Sequence, residues 1–292
     1  MRITNDIAYN NLLRDIERIA ERMSNTQLQI SSGKKLNKPS DDPVAVSDVI
    51  RIQAEQSETR QYQDNLATAK SRLNFADSTL QGVETMIERV RSLALSSMSN
   101  LAAASLQVSE ISGLREQILA AANSVIDGQF MFAGSNVDTP AYSQASNGTV
   151  TYNGNTDVVR LQIGRATTLQ VQVPGSDIFT GSVDIFATIQ RLETAMNTGN
   201  QAGIAAEVKN LEQFSTVLSS GMGKIGGLVN VAQSVDSELT TYSLGRTEQR
   251  SRLEDANLAA ALTDYTQAET ALKAATAVGA RISNISILDY LS

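Results

Sequence analysis

The sequence has no Trp, no Cys and no His, and its aromatic residues amount to only 4%. Without His the chain lacks the side chain most used for proton transfer near neutral pH and for metal ligation, and without Cys it lacks thiolate nucleophiles and soft ligands. Carboxylates, Ser, Lys and Tyr remain, but no catalytic triad, metal cluster or phosphate loop is assembled from them. Neither an enzymatic role, a cofactor nor a metal is therefore expected. Lack of Cys also suits a chain that must not form disulfides, in the cytoplasm or during export unfolded. The net charge of −7, with both signs interspersed, argues against nucleic acid as a partner. No segment approaches the ~20 apolar residues of a membrane span, so no membrane partner is expected. Met1 to Asn11 carry no basic stretch leading into an apolar run, so an exported form is expected to leave without a cleaved signal peptide.

What is present is Ala, Leu, Ile and Val in helical spacing, which suits thin bundles of interlocking small and branched side chains. Tyr9, Ile16, Met23 and Ile30 recur in heptads, offset by Leu12, Ile19 and Thr26, while charged residues fall elsewhere. This helix is predicted to stop at Ser31-Ser32-Gly33, where Gly takes the left-handed C-terminal position. Asp42-Pro43 predicts the next start, with Asp as cap and Pro in the first turn. From there Leu66, Leu73, Leu80 and Ile87, with Ala69, Ala76, Val83 and Val90, mark one long seam. A helix from about Pro43 to Met98 would extend on the order of 80 Å at ~1.5 Å per residue, and must lie against partner helices for much of that length. Ile111, Ile118 and Val125, with Leu114 and Ala121, predict a third helix ending before Gly128.

Between Gly134 and Gly181 the composition shifts to Gly, Asn, Thr and Pro with short alternating runs, Thr149 to Tyr152, Val158 to Ile163 and Leu169 to Val173. Asn153-Gly154 lies between two of them as a hairpin signal. Helical spacing then returns through Ile185, Ile189, Leu192 and Met196, and through Ile204, Val208, Leu211 and Leu218. The glycines at 221, 223, 226 and 227 predict a hinge or tight turn. Beyond them Ile225, Leu228, Ala232, Val235, Leu239 and Tyr242 resume a long helix, which passes polar Arg246 and Gln249. The last stretch sets Ala261, Ala268, Ala275 and Ile282 beside Ala271, Val278 and Ile285, ending in Leu288 and Leu291.

The fold class expected is mainly α, a long-helix bundle core with a small inserted β-rich domain. Its parts are residues 1–40 and 255–292 as coiled-coil segments, 41–133 and 182–254 as the two halves of the helical core, and 134–181 as the β-rich insert. Asp41-Asp42 is the most enzyme-like pair, yet beside Pro43 and without His, capping accounts for it better. Lys34-Lys35, just past a helix end, suits the helix dipole better than a phosphate site. The terminal stripes need partners, which periodicity alone allows within one subunit or between subunits.

The run Gln29-Ile30-Ser31-Ser32-Gly33-Lys34-Lys35-Leu36-Asn37-Lys38-Pro39-Ser40-Asp41-Asp42-Pro43 resembles the N-terminal signature of the flagellin family. Within that family, the opening Met1-Arg2-Ile3-Thr4-Asn5, the stretch from Gly128 to Tyr142 and the ending from Ile285 to Leu291 are more similar to the members that join hook to filament than to filament subunits. The resemblance implies a flagellin-like bundle with an outward β domain. It also implies terminal segments that are disordered in the free subunit and form a coiled-coil tube on assembly, and secretion through the type III export apparatus with an export chaperone on the C-terminal helix. Partners implied are further copies of the chain in a ring, a second hook-associated junction protein, and flagellin. The expected assembly interface is then Tyr9, Leu12, Ile16, Ile19, Met23 and Ile30 at one end, and Ala268, Ala271, Ala275, Val278, Ile282, Ile285 and Leu288 at the other. A filament subunit is the alternative, and a secreted enzyme or effector the more distant one.

Overall fold

A computed structural model of the chain describes residues 2–99 and 104–291, with the side chains of 2–6, 8, 99, 104, 105 and 282–291 outside that description. Seven helices and six short strands follow one another among the described residues: α1 (Arg2–Ser32), α2 (Pro43–Ser99), α3 (Ala104–Ala122), β1 (Val125–Ile126), β2 (Gln129–Phe130), β3 (Tyr142–Gln144), β4 (Val150–Tyr152), β5 (Arg160–Gln162), β6 (Thr168–Gln170), α4 (Gly175–Ile178), α5 (Ile185–Asn197), α6 (Gln201–Glu254) and α7 (Leu258–Leu291). The chain divides into two compact units, one of residues 1–57 with 242–292, the other of residues 58–241.

The larger unit is organised by the seam read from the sequence. Leu66, Ala69, Leu73, Ala76, Leu80, Val83, Ile87 and Val90 of α2 are all buried, together with Leu211, Leu218, Ile225 and Ala232 of α6. The two helices run antiparallel, since Arg91 reaches Glu212 at 2.8 Å while Lys70 reaches Asp236 at 2.7 Å. Helix α3 lies beside α2 through Arg89 and Glu110, 2.6 Å apart. Asp184 caps α5 by accepting from the Ala187 amide at 3.0 Å, and the stripe Ile185, Ile189, Leu192 and Met196 is buried as the spacing predicts.

Three expectations are corrected here. Helix α3 ends at Ala122 and not beyond Val125, because Asp127 (φ 52) and Gly128 (φ 77) turn the chain back in a hairpin that pairs Val125 with Phe130. Two successive positive φ values are what a tight hairpin turn demands, and Asp-Gly meets them at low cost. Asn153-Gly154 is not a hairpin turn either. Strand β4 pairs back with β3, Tyr142 opposite Tyr152, through a turn closed by Gly148 (φ 84), while β5 pairs with β6. Gly154 instead permits a close approach, for a Cβ there would sit 2.5 Å from the Tyr152 hydroxyl and 2.6 Å from the Ala133 carbonyl oxygen.

The third correction concerns the glycine cluster, which makes no hinge and lies inside the uninterrupted α6. A Cβ added at Gly223, Gly226 or Gly227 meets nothing within 4 Å. Each Gly in a helix interior costs about 0.8–1 kcal/mol relative to Ala through backbone entropy. Gly226→Ala and Gly227→Ala are therefore expected to stabilise the protein by about 0.5–1 kcal/mol each, read as a higher denaturant midpoint at unchanged slope. A lower midpoint would show that these positions need glycine for a reason other than space.

Five of the thirteen aromatic residues come together in one place. Phe132, Tyr142, Tyr152, Phe179 and Phe186 meet in one cluster beneath the insert, with Phe179 in edge-on contact with Phe132 at 5.3 Å and Tyr142 at 5.8 Å. Each strand pair is too short to be stable alone, and β3–β4 is seated on this cluster through Tyr142 and Tyr152, whose rings lie 5.1 Å apart.

Candidate assembly surface

In the smaller unit, α1 packs along α7. Arg22 reaches Asp264 at 3.1 Å, and the Ala256 amide donates to the Gly33 carbonyl at 2.9 Å. A Cβ added at Gly279 would lie 3.1 Å from Leu12 Cδ2, which completes an antiparallel register. On α1 the face toward this contact carries Leu12, Ile16, Ile19, Met23 and Ile30, all half-buried, with Thr26 buried among them. Tyr9 remains exposed.

On α7 the register differs from the one read in the sequence. Ala261 and Ala268 are buried, and Tyr265, Leu272, Ala275 and Gly279 are half-buried, whereas Ala271 and Val278 are exposed. The second row of the seam thus sits four residues after 261, 268 and 275, not three. Asp264 was the signal that separates the two choices: a three-residue offset sets that carboxylate in the seam, and a four-residue offset sets Tyr265 there. Ile282, Ile285 and Leu288 lie on α7, with side chains outside the described residues.

Once the seam is closed, the helix pair still presents large apolar side chains to solvent. They are Ile7, Tyr9, Leu13 and Leu28 on α1, and Leu258 (47% exposed), Leu262 (52%) and Val278 (50%) on α7. Leu258 and Leu262, four residues apart, share one flank of α7 and Val278 lies on the other, so both flanks of the seam keep exposed apolar side chains.

The loop from Gly33 to Asp42 is built to hold a fixed shape. Gly33 (φ 69) ends α1 in the left-handed position. Asp41 accepts from the amides of Asn37 at 2.9 Å and Lys38 at 2.8 Å, and these bonds hold its carboxyl below the usual carboxylate range. Asp42 accepts from Val44 at 3.1 Å and Ala45 at 3.0 Å as the cap of α2. Both members of the enzyme-like pair thus have structural duties. The loop and α1 border a polar cleft of about 440 Å³, lined by Gln29, Lys35, Asn37, Lys38, Asp41 and Asp42 among others. Lys34 pairs with Glu254 at 3.0 Å, and the Lys35 ammonium donates to the Arg252 carbonyl at 2.9 Å, where it meets the negative end of α6. Among the described residues no group of His, Cys, Asp or Glu has the arrangement of a metal site, and no helix is long and apolar enough to cross a membrane.

Helix, signature loop and second helix, in this order and with these caps, correspond to the bacterial flagellin N-terminal helical region, whose family model matches residues 3–137. Residues 3–137 belong to the flagellin N-terminal family. The chain is 25% identical over 303 residues to the Escherichia coli K12 protein named flagellar hook-associated protein 3, covering 94% of each. It is 23% identical over 292 residues to the flagellin of Bacillus subtilis 168, covering 91% of each. Its fold is shared with a putative flagellar hook-associated protein from Vibrio parahaemolyticus, at a TM-score of 0.70 and 23% identity, over 74% of this chain and 100% of that one.

Proposed function

We propose that this chain is a structural subunit of the bacterial flagellum at the junction of hook and filament, and that it acts by packing rather than by catalysis. The observation that carries the reading is the end-to-end match to flagellar hook-associated protein 3, 94% of both chains, on a fold whose terminal helix pair keeps an apolar exterior. Burial of that exterior against neighbouring subunits supplies the driving force for assembly, at about 25 cal/mol per Å² of apolar surface removed from water. On this reading the assembly elements are residues 1–40 and 255–292, with Tyr9, Ala271 and Val278 available between subunits, and Leu12, Ile16, Ile19, Met23, Ile30, Ala268 and Ala275 engaged mainly within one. Residues 134–181 form the outward module.

The finer partners belong to the same proposal: further copies of the chain in a ring, a second hook-associated protein on one side and flagellin on the other, an export chaperone, and the type III apparatus. The similarity to Bacillus subtilis flagellin keeps a filament subunit as the second reading. Immunogold electron microscopy of intact cells separates the two. A narrow band of label where hook meets filament is expected; label along the whole filament would make the chain a filament subunit, and label confined to the cell interior would refute both.

A further inference from the structure

The chain enters and leaves the α1·α7 pair through two helix breaks, residues 33–42 between α1 and α2, and 255–257 between α6 and α7. These breaks are bonded to each other. The Lys35 amide donates to the Glu254 carbonyl at 2.7 Å and the Ala256 amide donates to the Gly33 carbonyl at 2.9 Å, with Lys34 and Asp255 facing one another as a single antiparallel bridge.

Around this bridge the smaller unit is held by polar groups where the larger one uses Leu and Ile. The Glu254 side chain is 8% exposed and lies 3.0 Å from the Lys34 ammonium and 3.3 Å from Arg250 Nε. Arg250 also donates to the side-chain carbonyl of Gln56 at 2.9 Å, and the Gln56 amide donates to the Thr247 hydroxyl at 2.9 Å. Gln56 itself is 5% exposed. One connected path therefore runs from Thr247 through Gln56, Arg250 and Glu254 to Lys34, tying α2 and α6 to the loop that follows α1. A buried carboxylate of this kind has its desolvation offset while its cations are in place, and loss of one leaves a charge buried without full compensation. Buried polar networks also hold one register against alternatives, whereas an apolar seam tolerates slippage.

We infer that Lys34, Glu254, Arg250 and Gln56 form a clasp that locks the two helix breaks together, so that the breaks open in one concerted step or not at all. The bonds are reciprocal, one donated from each break to the other, so neither can leave its place without stripping the other's hydrogen bond and stranding the Glu254 carboxylate. The clasp thereby makes the α1·α7 pair a single switchable element, whose exposed apolar side chains are presented in one fixed register. The inference rests on the geometry of the smaller unit and not on the flagellar reading.

Native-state hydrogen exchange on the full chain tests it, with the amides of Lys35 and Ala256 as reporters. In Glu254→Gln both are expected to exchange faster by about tenfold or more and by the same factor, while amides of α2 between Leu66 and Val90 keep their rates. The double variant Lys34→Met with Glu254→Gln should exchange no faster at these two amides than Glu254→Gln alone, a non-additivity that independent losses of packing would not give. If only one of the two amides accelerates, or the α2 amides accelerate equally, the breaks do not form a concerted clasp. Unchanged rates at both would show that Glu254 holds nothing. Because exchange reads the isolated protein, label away from the hook–filament junction leaves this result unaffected, and failure of the clasp leaves the junction reading intact.

Discussion

Phe179→Ala is expected to destabilise the unit of residues 58–241 by about 3–5 kcal/mol, the largest loss of any single truncation in the insert. Phe179 is fully buried and is the shared member of the aromatic cluster, in contact with Phe132 at 5.3 Å, Tyr142 at 5.8 Å and Phe186 at 6.3 Å. Truncation removes the transfer free energy of the ring, leaves a cavity bounded by three other rings, and breaks aromatic pairs worth about 0.5–1.5 kcal/mol each beyond area. The rings around it are anchored to backbone that cannot follow the collapse. Tyr152 donates to the Asn155 carbonyl at 2.8 Å, and the Phe132 carbonyl accepts from the Gly175 amide at 2.8 Å. Chemical denaturation with far-UV detection measures the loss. A change below about 1 kcal/mol would show that the insert closes over the gap.

Tyr142→Phe supplies the contrast within the same cluster. The Tyr142 hydroxyl lies 3.5 Å from that of Thr180, too long for a strong bond, so its removal is expected to cost under about 1 kcal/mol. Burial raises the pKa of this phenol well above the ordinary tyrosine value of 10.0. The folded state therefore favours the neutral form. Below pH 10 the group is neutral in both states and contributes no pH dependence; as pH rises past 10 it ionises first in the unfolded chain, and stability falls. Tyr142→Phe should flatten that alkaline loss, whereas Phe179→Ala lowers stability at every pH.

The helical framework was legible in the sequence because the informative residues are local. Gly33 and Asp42-Pro43 mark a stop and a start with backbone chemistry that acts within a few residues, and Leu66, Leu73 and Leu80 repeat in a stretch that holds no Gly or Pro from Val44 to Gln81. The glycines of α6 misled for a physical reason. A local penalty of about 1 kcal/mol per Gly predicts a break, but Ile225 and Ala232 on the same stretch are fully buried, and that packing outweighs the penalty. Lys34 and Glu254 are 220 positions apart in sequence, and no periodicity announces that two helix breaks meet. The aromatic cluster was missed likewise, since its members come from Phe132, Tyr142, Tyr152, Phe179 and Phe186 on separate short elements. The exposed flanks of α7 were only half legible: heptads fix that a seam exists, and the choice between Asp264 and Tyr265 decides which residues it leaves outside.

Cells whose only copy of this protein carries Leu258→Asp and Leu262→Asp are expected to lose incorporation and motility while the purified chain still folds. Both side chains are about half exposed, and substitutions at such surface positions usually change stability by under ~0.5 kcal/mol, so circular dichroism and the denaturant midpoint should stay near those of the parent. Assembly is another matter. Burying a Leu side chain from full exposure is worth about 1.5–3 kcal/mol, so burying the remaining half of two of them supplies about 1.5–3 kcal/mol per subunit, or ~10- to 10²-fold in affinity. Aspartate forfeits that gain and adds the cost of desolvating a charge. Thr270→Asp is the matched control, because Thr270 is exposed on the side of α7 opposite Ala261 and Ala268, away from both apolar flanks, and also gains a negative charge. It should assemble normally. Normal junctions with the double variant would mean that this flank faces solvent in the assembled state, and the driving force would then have to come from the Ala271 and Val278 side of the helix. Loss of assembly in both variants would assign the effect to added charge rather than to the buried leucines, so only the split result supports the apolar flank as the contact.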